Sequence, residues 1–458
     1  MTAAAIRSLP VVFALTLALS GATHALAQTL PKAASPEAVG LSSERLARLT
    51  RMMQDSVARQ QVAGTVTLVL RNGQVAYFEA AGARDVEAGA AMTPDAIFRI
   101  ASMTKAVVSV GVMMLVEEGR LGLTDPVSRY IPAFEKTTVL GTMNGRVAVV
   151  PANRAITIRD LLTHTAGISY GMGALEPWYS RAGFTQWYFA DRNEPMSTWI
   201  DTLATLPFDS QPGERWVYGY NTDILGNVIE RVSGQTLAAF IAERITTPLK
   251  MIDTSFFLPA DKASRLATVY AVNPAGRIVR ADDTYPAVMP GIPHNGQGAY
   301  TSGPQAAFSG GAGLLSTAQD YARFMQMLLN GGELDGVRLL GPATVRLMTS
   351  NHVGTLYQNG ALGWGLGFEV VEQSGRAPRY GAGGEFSWSG AYHTTYWADP
   401  DEQLVVVFMS QLLPAGFTGL TARVRTLVNQ AIVGPPTGVP AASTASTGQK
   451  APVRTGGR

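Results

Sequence analysis

The chain has 458 residues, of which 46% are hydrophobic and 15% charged, so it can bury a sizeable core in one large domain or two smaller ones. Its formal net charge of +2 creates no strong field that would attract nucleic acid or an anionic membrane. It contains no cysteine, which excludes disulfides, thiolate metal sites and a cysteine nucleophile.

The first 27 residues have the pattern of an export signal. Arg7 gives a positive start, residues 9–19 form an apolar stretch, and Ala25-Leu-Ala27 is an A-x-A cleavage site. The apolar stretch is shorter than the ~20 residues that a membrane-spanning helix needs. We therefore predict cleavage after Ala27, no stable membrane anchor afterwards, and a periplasmic or secreted protein.

The secondary-structure pattern changes twice along the rest of the chain. Residues 42–61 have helical periodicity with Ser42 or Ser43 as cap, and two β-rich runs then flank Asn72-Gly73, a strong hairpin signal. Helical patterns and loops dominate from residue 102 to about residue 298. The later predictions are, in order, a helix at 318–329, strands at 365–371, 392–397 and 403–410, and a closing helix at 420–432.

Strands at both ends of the chain around a helical middle predict an α+β fold. We expect one sheet, built from both termini and flanked by helices, with a mainly helical domain inserted. The predicted parts are a sheet domain at 28–107 and 299–433, a helical domain at 108–298, and a disordered tail at 434–458. The tail is rich in Pro, Gly, Ser and Thr, a composition that does not support a packed core.

The most informative short motif is Ser102-Met-Thr-Lys105, at the predicted start of a helix that ends near Gly119. Residues i and i+3 share one helix face, so Lys105 can reach the Ser102 hydroxyl. A serine becomes a good nucleophile when an adjacent base takes its proton, and a helix N-terminus offers N–H groups to a forming oxyanion. S-x-x-K often arises by chance, so other segments must complete the site.

A competing nucleophile motif is Gly167-Ile-Ser169-Tyr-Gly171, which matches the G-x-S-x-G of α/β-hydrolases. That motif needs a strand before it and a helix after it. Here residues 156–162 predict a short helix with Thr157 as a candidate cap, and the glycine-rich stretch after Ser169 does not open a helix. The residue order leaves a triad open, because three histidines follow, at positions 294, 352 and 393. We favour the interpretation of Ser169 as a turn residue.

Several segments in a fixed order resemble those of one known superfamily. They are Ser102–Lys105, Leu161–Gly167 (L-L-T-H-T-A-G), Pro212–Gly226 (P-G-E-R-W-V-Y-G-Y-N-T-D-I-L-G), Gly310–Tyr321, Gly363–Phe368 and Phe386–Gly390 (F-S-W-S-G). Over residues 38–433 the chain thus resembles the serine β-lactamase and penicillin-binding-protein superfamily, in particular its class C branch and the family VIII carboxylesterases. The resemblance implies a β-lactamase/transpeptidase-like fold with an antiparallel sheet.

The resemblance also implies catalytic roles. Ser102 would form an acyl-enzyme, Lys105 would keep the local field positive, and Tyr218 would act as general base, as its phenolate or through Lys105. A tyrosine is a poor base at neutral pH unless cationic neighbours favour its ionised form. The oxyanion hole would consist of the backbone N–H groups of Ser102 and Ala391. Without the flanking motif, Tyr218 would be interpreted as a half-buried aromatic residue.

Two departures from the class C pattern concern the substrate. Class C enzymes carry Y-x-N, whereas here Tyr220 stands in the place of that asparagine and Asn221 follows one residue late. Trp388-Ser-Gly stands where the family has K-T-G, so an apolar ring with one N–H donor replaces a cation that binds carboxylates. Both changes favour a neutral ester over an anionic amide. The predicted substrate-binding residues are Trp388, Ser389, Gly390 and Tyr220.

The predicted function is therefore a carboxylesterase that acts on a small-molecule ester, with no nucleic-acid partner and no assigned oligomeric state. A β-lactamase, a D-amino-acid peptidase or amidase, a transesterase, and a module that binds ligands without turnover remain open. No cofactor is predicted, because the sequence has no P-loop and no convincing dinucleotide fingerprint. No metal is predicted either, because the histidines lack ligand spacing, and His164 is expected to be structural.

Overall fold

A computed structural model describes residues 29–184, 187–281 and 298–436. The predicted export signal, His294 and most of the predicted C-terminal tail lie outside these residues. The α-helices of the described part are α1 Ser43–Ala58, α2 Thr104–Glu117, α3 Ile158–Leu162, α4 Glu176–Arg181, α5 Met196–Leu203, α6 Asn221–Ser233, α7 Leu237–Ile241, α8 Ala299–Ser302, α9 Ala318–Leu329, α10 Pro342–Met348 and α11 Leu420–Asn429. Within the described ranges, no helix combines the length and the apolar character needed to cross a bilayer.

The strands are mostly found at the two ends of the described chain. They are β1 Gly64–Arg71, β2 Gln74–Asp85, β3 Ala90–Ala91, β4 Phe98–Arg99, β5 Thr138–Met143, β6 Arg146–Pro151, β7 Tyr270–Val272, β8 Ile278–Arg280, β9 Leu315–Ser316, β10 Glu333–Leu334, β11 Val337–Arg338, β12 Gly363–Trp364, β13 Glu369–Val370, β14 Phe386–Gly390, β15 Thr394–Asp399, β16 Leu404–Met409 and β17 Leu412–Leu413.

One eight-stranded sheet forms the centre of the fold, with the order β12-β13-β14-β15-β16-β1-β2-β3. Its neighbouring strands pair antiparallel, and β1 from the N-terminal part pairs with β16 from the C-terminal part. This confirms the predicted antiparallel sheet built from both termini. The domain boundaries drawn from the sequence stay a prediction.

The N-terminal elements form as their sequence signals predict. The Ser42 hydroxyl caps α1 by accepting a hydrogen bond from the Arg45 N–H. Asn72 and Gly73 connect β1 to β2 with φ angles of 52° and 72°, and Asn-Gly adopts this left-handed conformation readily. The first hairpin is therefore fixed by local chemistry.

Helices cover both faces of the sheet, so its central strands are apolar on both sides. In β1, Val66, Leu68 and Leu70 face the larger core, against which α9 packs. Val69 faces the opposite core, which contains buried residues of α1 and α11. Each such side chain contributes about 1.5–3 kcal/mol when fully buried.

The part of the chain between α2 and β9 is mainly helical, as predicted, with α2 packed against α6 and α7. Gly111 allows this approach, because a Cβ there would lie 3.1 Å from the Phe240 ring and 3.2 Å from Ile229. The hairpin β5–β6 was not predicted. Its turn is Asn144-Gly145, the same signal as the first hairpin, so the sequence did contain the information needed to find it.

The predicted strand at 365–371 is wrong in its extent. The chain forms the two short strands β12 and β13, joined by a turn in which Gly367 has a φ of 98°. A Cβ on Gly367 would lie 2.3 Å from the Ser109 hydroxyl oxygen of α2. The turn therefore rests directly on the helix that follows Ser102.

Candidate active site

Ser102 lies in a single turn of 3-10 helix, Ala101–Met103, that leads directly into α2. Ala101 has a φ of 41°, a left-handed conformation that costs a non-glycine residue of order 1–3 kcal/mol. Hydrogen bonds on both sides hold this turn: Tyr321 donates to the Met103 carbonyl at 2.9 Å, and Leu314 N–H donates to the Thr104 hydroxyl at 3.0 Å. Backbone strain of this kind is typical of functional sites.

Lys105 lies in the first turn of α2 and is buried. Its Nζ donates to three oxygens, which are Ser102 Oγ at 3.3 Å, Tyr170 Oη at 3.1 Å and the Gly311 carbonyl at 2.8 Å. An ammonium has three N–H donors and no acceptor, so these partners match its full capacity. The structure thus brings Ser102 and Lys105 into the direct contact that S-x-x-K predicts.

Tyr218 is adjacent to Lys105 but is not joined to it by a hydrogen bond in the described contacts. Lys105 Nζ lies 4.6 Å from the centre of the Tyr218 ring, a cation–π arrangement. The Tyr218 hydroxyl accepts a hydrogen bond from Trp388 Nε1 at 3.0 Å. Trp388, predicted to bind substrate, is therefore hydrogen-bonded to Tyr218, the predicted base.

Tyr170 is the site residue that the sequence interpretation missed. Its ring packs edge-on against Tyr218, at 5.8 Å between ring centres, and its hydroxyl contacts Lys105. Burial raises the pKa of Tyr170 well above its usual value of 10. The available signal was its position, three residues after Gly167 in the segment that also contains His164.

Ser169 acts as a turn residue, which confirms the interpretation favoured from the sequence. The segment before it consists of α3 and an irregular loop, and its hydroxyl accepts a hydrogen bond from the Gly171 N–H at 3.0 Å. A Cβ on Gly219 would lie 2.3 Å from the Ser169 carbonyl carbon. The loop of Ser169 therefore supports the segment that carries Tyr218.

His164 and Asn221 have structural roles behind Tyr218. His164 Nδ1 lies 2.8 Å from Asn221 Nδ2, and its ring centre lies 4.8 Å from that of Tyr218. Burial, reinforced by the positive charge of Lys105, lowers the pKa of His164 well below 6.5. Asn221 also donates to the backbone carbonyls of Ile168 and Val217. Asn221, which follows the class C asparagine position by one residue, thus holds these loops together and is fully buried.

The structure does not support the prediction that Tyr220 binds substrate. Tyr220 has no exposed surface, because its ring is enclosed by Tyr170, Phe184 and other aromatic rings. Burial raises its pKa well above 10. The ring of Tyr220 packs edge-on against that of Tyr170, at 4.9 Å between ring centres.

The end of β14 lies against the turn that carries Ser102. A Cβ on Gly390 would lie 2.3 Å from the Ile100 carbonyl oxygen, so only glycine allows this approach. Ala391 follows at the same corner of the site, and Ser389 is exposed there. The geometry is compatible with an oxyanion hole at the N–H groups of Ser102 and Ala391, a role that stays a prediction.

The wall beside Trp388 is aromatic. The Trp388 ring centre lies 4.6 Å from that of Trp364 and 5.4 Å from that of Tyr218, and Trp216 closes the cluster. Trp364 is itself fixed by a hydrogen bond from its Nε1 to the Leu162 carbonyl at 3.2 Å. In the described residues, no lysine or arginine forms a hydrogen bond or ion pair with Trp388, Ser389 or Gly390. The described ranges also hold no group of three or more His, Asp or Glu side chains arranged for a metal ion.

Comparison with known proteins identifies the family. The family described as Beta-lactamase matches residues 49–430. An uncharacterized protein of Mycobacterium tuberculosis is 38% identical over 370 residues, which cover 77% of this chain and 86% of that protein. Esterase EstB of Burkholderia gladioli is 30% identical over 409 residues, or 86% of this chain and 97% of the esterase. The solved structure of EstCE1, described as a hydrolase with promiscuous acyltransferase activity, has a TM-score of 0.71 at 27% identity and covers 84% of this chain and 98% of its own. The chain belongs to the beta-lactamase family and is a serine hydrolase of that family.

Proposed function

We propose that the protein is a carboxylesterase that cleaves small neutral esters through an acyl-enzyme on Ser102. The contact of 3.3 Å between Lys105 Nζ and Ser102 Oγ supports Ser102 as the nucleophile. Among the described residues, the Ser169 hydroxyl accepts a hydrogen bond from the Gly171 N–H, and none of its hydrogen bonds comes from a lysine. Trp388, Ser389 and Gly390 are proposed to line the substrate site.

The proposed reaction has two steps. In acylation, Ser102 Oγ attacks the ester carbonyl carbon while its proton passes to Tyr218, and the departing alkoxide takes that proton as the alcohol leaves. In deacylation, water attacks the acyl-serine and gives a proton to Tyr218, which returns it to Ser102 as the acid is released. The N–H groups of Ser102 and Ala391 are proposed to stabilise the oxyanion in both steps.

Tyr218 is the better candidate for the base among the two tyrosines near Lys105. The Tyr218 hydroxyl is held by the hydrogen bond from Trp388 Nε1, and the Tyr218 ring centre lies 4.6 Å from Lys105 Nζ. Tyr170 is the weaker candidate, since burial raises its pKa well above 10. Lys105 is proposed to supply positive charge rather than to take the proton.

The observation that carries the ester preference is the hydrogen bond from Trp388 to Tyr218. Trp388, which stands in the place of the family's lysine, thus donates its single N–H to Tyr218, the proposed base. Its ring presents an aromatic wall to the substrate. A carboxylate next to that wall would lose hydration without gaining a cation. The names of Esterase EstB and of the hydrolase EstCE1 support the same assignment.

The test compares hydrolysis of p-nitrophenyl butyrate with hydrolysis of nitrocefin by the purified protein. We expect ester turnover that is abolished in Ser102→Ala and a much lower rate with nitrocefin. Substantial nitrocefin turnover with negligible ester hydrolysis would show a β-lactamase instead. A protein that turns over neither substrate and is not labelled by an active-site phosphonate would be a binding module.

We also propose that the protein is exported. The support is the pattern of Arg7, the apolar stretch at 9–19 and the A-x-A site that ends at Ala27. N-terminal sequencing of the protein from fractionated cells should find Gln28 as the first residue, in the periplasm or medium. An unprocessed N-terminus in the cytoplasm would contradict export.

A further inference from the structure

Gly311 makes the shortest of the three hydrogen bonds of Lys105, at 2.8 Å from Nζ to the carbonyl oxygen. A carbonyl oxygen only accepts, so this bond always takes one N–H of Lys105 and points it away from Ser102. The remaining positions on Nζ then face Ser102 and Tyr170. The orientation of the Lys105 amine therefore depends on where the Gly311 carbonyl is held.

Asp223, in the first turn of α6, holds the turn that contains Gly311. Its Oδ1 accepts hydrogen bonds from Ser309 Oγ at 2.6 Å and from the Gly311 N–H at 3.0 Å. The Ser309 hydroxyl also accepts from the Ala312 N–H at 3.0 Å. A Cβ on Gly311 would lie 2.3 Å from Asp223 Oδ2, so the glycine lets the turn close onto the carboxylate. One continuous set of contacts thus runs from Asp223 through Gly311 to Lys105.

Asp223 is also a buried carboxyl group with incomplete hydrogen bonding. It is 1% exposed, and its Oδ2 has no hydrogen-bond partner in the described part of the chain. Burial raises the pKa of Asp223, while the charge of Lys105 and the donors of Ser309 and Gly311 oppose that rise. The other titratable groups that face it are the neutral hydroxyls of Tyr170 and Tyr220. Lys105 is therefore the cation that balances this carboxylate.

We propose that Asp223 is a positioning residue for Lys105, which fixes the Gly311 carbonyl and supplies the negative charge that complements the Lys105 ammonium. This inference rests on the proposed function, because it assumes that Lys105 and Ser102 take part in turnover. Asp223 does not touch the reacting atoms. Its effect passes through the Gly311 peptide and through the electric field at Lys105.

The test is Asp223→Asn, which keeps the size of the side chain and one oxygen acceptor but removes the charge. Steady-state rates with p-nitrophenyl butyrate are measured from about pH 5 to about pH 10. We expect kcat to fall roughly tenfold and KM to stay within about twofold, since Asp223 acts on the catalytic groups and does not touch the reacting atoms. We also expect the acid limb of kcat/KM to move to lower pH by about half a unit or more, because loss of a negative charge makes neighbouring groups easier to deprotonate.

Asp320→Asn is the matched control. Asp320 is a buried aspartate in the first turn of α9 and likewise accepts one backbone N–H, from Asp253 at 2.8 Å, and one hydroxyl, from Thr254 at 2.9 Å. Its charged neighbours are Asp253, Lys262 and Arg265 rather than Lys105. This variant should lose thermal stability, but the acid limb of its kcat/KM profile should stay at the wild-type pH.

Ser309→Ala is the second variant, and it decides the outcome if Asp223→Asn does not fold. It loosens the turn that contains Gly311 while the Asp223 side chain stays. We therefore expect kcat to fall about threefold and the acid limb of kcat/KM not to move. The proposal is overturned if Ser309→Ala keeps the wild-type kcat. It is also overturned if Asp223→Asn folds and the acid limb of its kcat/KM profile stays at the wild-type pH. If the wild type prefers nitrocefin to the ester, the proposed function fails. The acid limbs of kcat/KM for wild type and Asp223→Asn, measured with nitrocefin, then still test the role of Asp223.

Discussion

Trp388 Nε1 donates a hydrogen bond of 3.0 Å to the hydroxyl of Tyr218. Trp388 belongs to strand β14 of the central sheet, and Tyr218 belongs to the loop before α6, so the bond joins the sheet to the helical part of the fold. It gives the proposed base a fixed position beside Lys105.

Trp388→Phe should reduce kcat for p-nitrophenyl butyrate about fivefold to tenfold. The variant keeps an aromatic ring in the wall but loses the donor to Tyr218, and one hydrogen bond of about 1–1.5 kcal/mol corresponds to that factor. Trp397→Phe is the control, because Trp397 lies in the core on the opposite face of the sheet. Equal effects of the two substitutions on kcat would show that the Trp388 donor has no specific role.

Tyr218→Phe and Tyr170→Phe should differ strongly in rate. Loss of the proposed base should lower kcat by about 10²–10⁴, whereas loss of one oxygen acceptor of Lys105 should lower it about tenfold. Both variants keep the aromatic packing between the rings, so their folding can be compared by circular dichroism. The reverse order of rates would assign the base to Tyr170.

Gly390→Ala should inactivate the protein and destabilise it by more than about 2 kcal/mol, because the new methyl group would meet the Ile100 carbonyl oxygen. Displacement of β14 would also move Ala391 away from Ser102. Gly416→Ala is the control, since a Cβ at Gly416 meets no atom within 4 Å. Thermal melting and ester hydrolysis are measured on both. An active and stable Gly390→Ala would show that β14 can shift away from Ile100 without loss of function.

Protonation of His393 should destabilise the fold in acid. Burial lowers the pKa of His393 to about 4 in the folded state, against about 6.5 in the unfolded chain. The unfolded state therefore binds the proton first, and the stability that His393 gives above pH 6.5 is lost as the pH falls toward 4, by up to about 3 kcal/mol.

His393→Asn isolates this contribution, because Asn tolerates the φ of 70° at this position and does not titrate. Other groups act in the opposite direction, among them Asp320, whose pKa burial raises to about 7. The quantity to measure is thus the difference in urea unfolding free energy between the two proteins at pH 7 and pH 5. A difference that does not change with pH would contradict the assignment.

The sequence predicted those features that depend on local chemistry or on a long ordered motif. The cap at Ser42, the Asn72-Gly73 hairpin and helix α9 form as expected because neighbouring residues decide them. The contact of Lys105 with Ser102 follows from helical spacing.

Features that depend on tertiary packing could not be derived in the same way. Tyr170 and Tyr220 are aromatic residues of similar sequence character, and only the folded loops decide that the first reaches Lys105 while the second is enclosed. Asp223 received no role from the sequence, because the turn that it holds is far away in the chain. The single donor of Trp388 was recognised, but its partner was not.

Ser102 is proposed to carry the acyl group, and mass spectrometry of the protein trapped with an active-site phosphonate identifies the serine that reacts. We expect one adduct on the peptide that contains Ser102, and no labelling of Ser102→Ala. An adduct on Ser169, or labelling that survives in Ser102→Ala, would contradict it.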